Sequence, residues 1–151
     1  YRTFTKIISL KIKQIQEELI DEFAMFDDWI QRYEYMIDLG KSLPLIDEKF
    51  KTDEYLVNGC QSKVWVKAEL VDKQIVFNAD SDAIISKGII AILIRVFSHH
   101  EPNEIIEAKT DFIDKIGLKD HLSPNRANGL SSMIKQLKLY ALAYQTKIND
   151  D

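Results

Sequence analysis

The sequence predicts an α+β domain, a small antiparallel sheet of about three strands with helices packed on one face. Three observations carry this. Val64, Val66, Ala68 and Leu70 alternate with Lys63, Trp65, Lys67 and Glu69, and Ile75, Phe77 and Ala79 alternate with Gln74, Val76 and Asn78; a period of two is that of a half-buried strand. Ahead of them, Ile12, Ile15, Leu19 and Phe23 recur at spacings of three and four, one face of an amphipathic helix. Behind them, Ala83 to Phe97 is apolar nearly all round, as suits a buried central helix. Helices, then strands, then helices is the segregated order of such a domain.

Taken in order, residues 1–10 carry no clear end signals and receive no element. The first helix starts at about Lys11, with Glu17, Glu18, Asp21 and Glu22 mostly on its wet side. Asp27 or Asp28 caps a second helix. Trp29, Tyr33, Met36 and Ile37 line its buried face, Gly40 stops it, and Pro44 prevents its continuation. The polar stretch 45–55 reads as a loop into a short strand near Tyr55 to Val57. Asp72-Lys73 turns the chain between the two alternating runs. Asp80-Ser81-Asp82 offers capping side chains for the central helix, with Asp82 also suited to its positive dipole end. Gly88 inside that helix marks a close backbone approach, and His99 and His100 suit the dipole at its end. Short helices are expected from Pro102 to Ala108 and from Asp111 to Ile116, the latter ended by Gly117. Ser123-Pro124 is a cap followed by proline at the first helical position. The last helix runs to about Gln145 with Met133, Ile134, Leu137, Tyr140, Ala141 and Tyr144 packed, leaving Asn149, Asp150 and Asp151 as a frayed tail.

The 151 residues suit a single domain over 1–151 with both termini frayed. Hydrophobic residues at 46% and charged residues at 29% are ordinary for a water-soluble globular chain. A net charge of −4 without a basic block argues against nucleic acid. The longest apolar run, Ile89 to Ile94, falls far short of the ~20 residues of a spanning helix, so no membrane is expected. Ile7-Ile8-Ser9-Leu10 after Arg2 and Lys6 is too short for a signal peptide, and Lys11 interrupts it. One cysteine cannot form an internal disulfide, which points to a reducing cytoplasm.

That cysteine, Cys60, stands in Asn58-Gly59-Cys60-Gln61-Ser62 directly before a strand. Asn-Gly readily takes positive φ and makes a tight turn, and Gly59, Gln61 and Ser62 are not core neighbours. A thiol acts through its thiolate where a second molecule can reach it. Read from the residues alone, Cys60 is either a reactive group on a bend or a small inert hydrophobe.

Gly-Cys-Gln-Ser followed by a Val-Trp strand resembles the signature of the SufE family, sulfur-acceptor proteins of iron–sulfur cluster assembly. Four further stretches resemble that family in the same order: Glu34-Tyr35-Met36-Ile37-Asp38-Leu39-Gly40 with Leu43-Pro44; Asp80-Ser81-Asp82-Ala83 with Lys87-Gly88-Ile89-Ile90-Ala91; His121-Leu122-Ser123-Pro124-Asn125-Arg126; and Gly129-Leu130. The likeness runs from about residue 20 to about residue 145. It implies a fold shared with IscU-type scaffold proteins and a non-hydrolytic relay. Cys60 would accept persulfide sulfur from a SufS-like cysteine desulfurase, stimulate that enzyme, and pass the sulfur to a SufBCD-like scaffold. No cofactor is implied for this chain, since pyridoxal phosphate belongs to the desulfurase, and no metal site. A monomer or weak homodimer is expected.

A carrier gains by sheltering its persulfide, so Cys60 is expected in a shallow, partly apolar recess, on a loop that swings outward, with at most a modest bias toward thiolate. Gln61 and Ser62 either donate hydrogen bonds to the sulfur or satisfy loop backbone groups. By the resemblance Asp82 touches the desulfurase, and by its position it caps a helix. Arg126, by the resemblance, lies near the cysteine loop and the partner surface, where a fixed cation favours thiolate or pairs with a carboxylate; otherwise it is a solvated residue of a first helical turn. A role for His121 as base is the remaining assignment. CsdE-type acceptors share these motifs and serve another desulfurase. A cluster or zinc scaffold would need about four ligands, against one cysteine here. A Cys–His hydrolase lacks its signature, and an inert binding module is the bland alternative.

Overall fold

The computed structural model describes residues 11–44 and 46–150. Residues 1–10, to which the sequence assigns no element, and Asp151 of the expected tail lie outside them. The elements are α1 (Ile12–Ala24), α2 (Trp29–Lys41), 3-10 turns at Glu48–Phe50 and Asp53–Tyr55, β1 (Val64–Val71), β2 (Gln74–Ser81), α3 (Ile84–Phe97), α4 (Pro102–Glu107), α5 (Phe112–Ile116), a 3-10 turn at Lys119–His121, and α6 (Pro124–Asp150).

The antiparallel sheet pairs Val66 with Ala79, Ala68 with Phe77 and Leu70 with Ile75. Val64, Val66, Ile75, Phe77 and Ala79 are almost wholly buried on one face, as the alternation predicts. The turn at Asp72-Lys73 has φ 51° and 69°, both positive as a two-residue type I′ hairpin requires. α3 lies against β2, α1, α2 and α6, and its apolar surroundings explain its near-continuous hydrophobicity.

Among the described residues the sheet has two strands, not three. The expected strand near Tyr55 to Val57 is reduced to a 3-10 turn and a single bridge between Leu56 and Trp65, with Val57 N–H donating to Val64 O at 2.8 Å. Further along the same edge of β1 the acceptors are already taken. Tyr140 and Tyr144 of α6 donate their hydroxyls to Val66 O and Ala68 O, each at 3.0 Å. On β2, His99 N–H and His100 O bond to Ile75, and Phe77 N–H donates to Ser98 Oγ. Filled edges offer no template for another strand.

Five local expectations are corrected. Gly40 does not stop α2 but lies inside it, where a Cβ would stand 2.9 Å from Gly88 N. The close approach expected at Gly88 is therefore a crossing of α2 and α3 through two glycines. Asp82 does not cap α3; the N-cap is Ala83, without a side-chain bond, and Asp82 Oδ1 accepts from Lys63 N–H at 3.0 Å. His99 and His100 follow the end of α3, and His100 is buried at the sheet edge and not set on the helix dipole. Of the expected buried face of α2, Met36 is fully buried and Trp29 and Tyr33 pack half-buried against the core, Trp29 with its ring stacked on His121 at 3.9 Å, whereas Ile37 is not part of that packing. α6 continues through Asn149 to Asp150, beyond its last ties to the sheet at Tyr140 and Tyr144.

Two polar ties fix the helices. Arg95 of α3 grips the Glu22 carboxylate of α1 with both terminal guanidinium nitrogens, and Tyr35 of α2 donates to the same carboxylate. The Arg95 bond, ahead of the opposing effect of burial, holds the Glu22 carboxyl below its usual range. Lys138 of α6 donates to Ile105 O, Ile106 O and Ala108 O at 2.7–3.2 Å, satisfying carbonyls that the end of α4 leaves unpaired.

Candidate functional site

Asn58-Gly59 forms the expected turn, with Gly59 at φ 97°. A side chain there would collide with Ser132 Oγ of α6, so only glycine lets the loop lie this close to the helix. Cys60 follows, half-buried, and its thiol donates to Gly129 O of α6 at 3.6 Å. Gly129 is buried, and a Cβ on it would sit 3.5 Å from the sulfur. The far end of the loop is tied down. Lys63 N–H donates to Asp82, and Ser81 Oγ donates to Lys63 O at 2.8 Å. Across the mouth, Asn125 Nδ2 donates to Gln61 Oε1 at 3.2 Å.

These contacts close a recess of about 240 Å³ lined by Cys60, Gln61, Ser62, Ser86, Ile89, Ser123, Asn125, Arg126, Gly129 and Met133. The fold thus brings Cys60, Gln61, Ser62 and Arg126 to one recess, with Gly59 packed behind it. Asp82 stands apart and holds the loop by its backbone. His121 is not among the lining residues; it stacks on Trp29, with Nδ1 3.0 Å from Gly117 O. That geometry removes it as a base for Cys60. Gln61 accepts from the Asn125 side chain through Oε1, which is neither of the two roles expected of it. The sequence reading missed Ser86, Ile89 and Met133. The available signal was a hydroxyl, Ser86, in an otherwise apolar helix.

Burial pushes the Cys60 thiol above its ordinary range, because desolvation disfavours the thiolate. The carbonyl acceptor at Gly129 favours the protonated form in the same sense. Arg126 is exposed, and its guanidinium pairs with no carboxylate among the described residues. The modest thiolate bias expected of this site is therefore absent with the loop closed. The alkylation rate of Cys60 with iodoacetamide is expected to rise with pH about a midpoint above the 9.0 of an ordinary thiol. A midpoint at or below that value, from rates measured across pH 6–11, would contradict this geometry.

A second cavity, about 450 Å³, lies between α1 and the α4–α5 segment. Among the described residues, no three His, Cys, Asp or Glu side chains converge as metal ligands, and no helix is long and apolar enough to cross a membrane.

The sequence profile of the SufE Fe-S metabolism associated domain matches residues 17–141. This chain belongs to the SufE family. Among its SufE-like relatives is an uncharacterised protein of Rhizobium meliloti, 42% identical over 127 residues that cover 81% of this chain and 91% of the relative. A second, from Synechocystis, is 36% identical over 85% of this chain and 80% of its own length. SufE-like protein 1, chloroplastic/mitochondrial, of Arabidopsis thaliana is 36% identical over 89% of this chain but 37% of its own length. A hypothetical protein from Thermus thermophilus, solved in solution, superposes with a TM-score of 0.73 over 87% of this chain and 96% of its own. At 16% identity that likeness shows the shared fold. SufE membership associates the chain with iron–sulfur metabolism.

Proposed function

We propose that this SufE-family chain is a sulfur acceptor whose working group is Cys60. The observation that carries the reading is the placement of the sole cysteine. It sits on a turn, half-sunk in a recess large enough for another sulfur atom, and held there by weak contacts. A lone S–H···O contact and one exposed side-chain hydrogen bond oppose its outward movement, and net bonds of this kind are worth about 1 kcal/mol each.

The chemistry is an exchange at sulfur. Outside the recess Cys60 loses its proton to solvent. The thiolate attacks the terminal sulfur of a persulfide on a SufS-like cysteine desulfurase. A new S–S bond forms to Cys60, the old one breaks, and the desulfurase cysteine leaves as thiolate, so no net oxidation occurs. Pyridoxal phosphate acts in the partner. Return of the loop shelters the persulfide from stray thiols and oxidants. Delivery to a SufBCD-like scaffold repeats the exchange with the scaffold thiolate as attacker. Arg126, exposed at the rim and without a carboxylate among the described residues, is suited to pair with the desulfurase. Asp82 contributes by fixing the base of the loop, and contact with the partner is its second role.

The test is intact mass after incubation with a SufS-like desulfurase and free cysteine, without reductant. The expected result is a gain of one sulfur, reversed by added thiol. An unchanged mass beside a desulfurase that is turning over would overturn the sulfur-acceptor reading.

A further inference from the structure

Ser86 is a hydroxyl inside the apolar α3, and it is 8% exposed. A serine within a helix ordinarily returns its hydroxyl to a carbonyl one turn back; Ser131 of α6 does so, to Ala127 O at 3.3 Å. Ser86 does not. Its hydroxyl has no hydrogen-bond partner among the described residues. Nor is it sealed in the core, for among those residues no walled-off side-chain oxygen or nitrogen lacks a partner. The residue lines the same recess as Cys60, so its accessible, unpaired hydroxyl is available to a group held there.

Ser62, beside Cys60 on the loop itself, is a second hydroxyl without a partner among the described residues, but it is only half-buried; the remaining polar groups of the recess are differently placed. The Gly129 carbonyl is an acceptor, matched to the S–H of the resting thiol and unsuited to an anion. The Asn125 amide is bonded to Gln61, and Ser123 Oγ accepts from Arg126 N–H. Arg126 is the one charged side chain lining the recess, and it is exposed. A persulfide is a stronger acid than its parent thiol, so near neutral pH its terminal sulfur is largely anionic. An anion taken into a partly buried recess is costly unless a donor meets it.

We infer that Ser86 is a sulfur-holding residue, donating its hydroxyl hydrogen to the terminal sulfur of the Cys60 persulfide when the loop is closed. The inference rests on the sulfur-acceptor reading and names the group that makes the recess fit a persulfide as well as a thiol. A donor to the anion makes the persulfide a stronger acid, ionised to lower pH, and blunts attack on it by other thiols.

The experiment loads the protein with sulfur in two ways, by desulfurase with cysteine and by inorganic polysulfide, in wild type and in Ser86→Ala, Ser86→Thr and Ser86→Val. Two quantities are followed by mass: the rate of sulfur loss to dithiothreitol, and the pH dependence of persulfide alkylation. Thermal melts confirm folding, and the Thr/Val pair isolates the hydroxyl at nearly constant shape. In S86A and S86V, sulfur loss is expected to quicken about ten- to a hundredfold and the alkylation midpoint to rise by roughly one to two pH units, as loss of one hydrogen bond to a charged group implies. S86T is expected to stay near wild type. Equal rates and midpoints across the four proteins, or slower loss in S86A, would overturn the assignment. Failure of the desulfurase to load wild type counts against the acceptor reading alone, because polysulfide loading still reads Ser86.

Discussion

Replacing Cys60 by serine is expected to abolish sulfur uptake from a cysteine desulfurase while leaving the fold intact. Uptake requires a nucleophile that forms an S–S bond, and the chain has no other cysteine to supply one. A serine hydroxyl at this position keeps the donor to Gly129 O that the thiol now provides. The side chain is half-buried and makes no other hydrogen bond, so the change in stability is expected within about 1 kcal/mol. Intact mass and a thermal melt on the same sample check both halves. A variant that still gains one sulfur would move the acceptor away from Cys60. A variant that melts many degrees lower would make the loop part of the core.

Gly88→Ala is expected to destabilise the protein by about 2–3 kcal/mol, against the sign that helix propensity alone gives. Alanine in a helix interior is favoured over glycine by ~1 kcal/mol. At this site, however, the added Cβ would lie 2.6 Å from Met36 O and 3.0 Å from Met36 C. These are backbone atoms of α2 and cannot rotate away. The crossing must open; overpacking typically costs roughly 1–3 kcal/mol and occasionally more, and against backbone that cannot move aside about 3–4 kcal/mol is expected, from which the ~1 kcal/mol of propensity is subtracted. For a chain of this size the melting temperature should fall by about 5–10 °C. Gly129→Ala is the control, since its Cβ would meet Cys60 Sγ at an ordinary 3.5 Å. Its stability is expected to hold or rise by up to ~1 kcal/mol. Equal melting temperatures for G88A and wild type would show that α2 and α3 yield at the crossing.

Signals carried by neighbours along the chain were legible. The alternation at 64–70 and 75–79 specifies a hairpin, because side chains two apart share a face whatever packs on it. Asp28, Gly117 and Ser123-Pro124 mark helix ends through bonds and dihedrals confined to a few residues. Gly59 marks a turn because positive φ is open to glycine at little cost. Asn-Gly-Cys-Gln-Ser, with the four stretches that follow the same order, was enough to identify the family.

Other features depend on residues far apart in sequence. Gly40 looks like a helix stop by local rules, but its role is set by Gly88 on another helix. The missing third strand was decided by Tyr140 and Tyr144, which reach β1 from more than seventy positions away and occupy its carbonyls. Asp82 carries the local marks of a cap yet bonds to Lys63, because the hairpin register brings the cysteine loop beside it. Cys60 itself was found from the sequence, but its state was not. Only the packing of its loop against α6 buries the sulfur, gives it a carbonyl acceptor and pushes its ionisation to higher pH. Ser86 joins it for the same reason. The sequence alone determined the hairpin, the helix ends at Asp28, Gly117 and Ser123-Pro124, and the turn that carries the cysteine sulfur, since those follow from local geometry and chemistry. The tertiary structure decided how that atom is sheltered and what surrounds it, because burial and polar pairing are set by elements that meet only when the chain is folded.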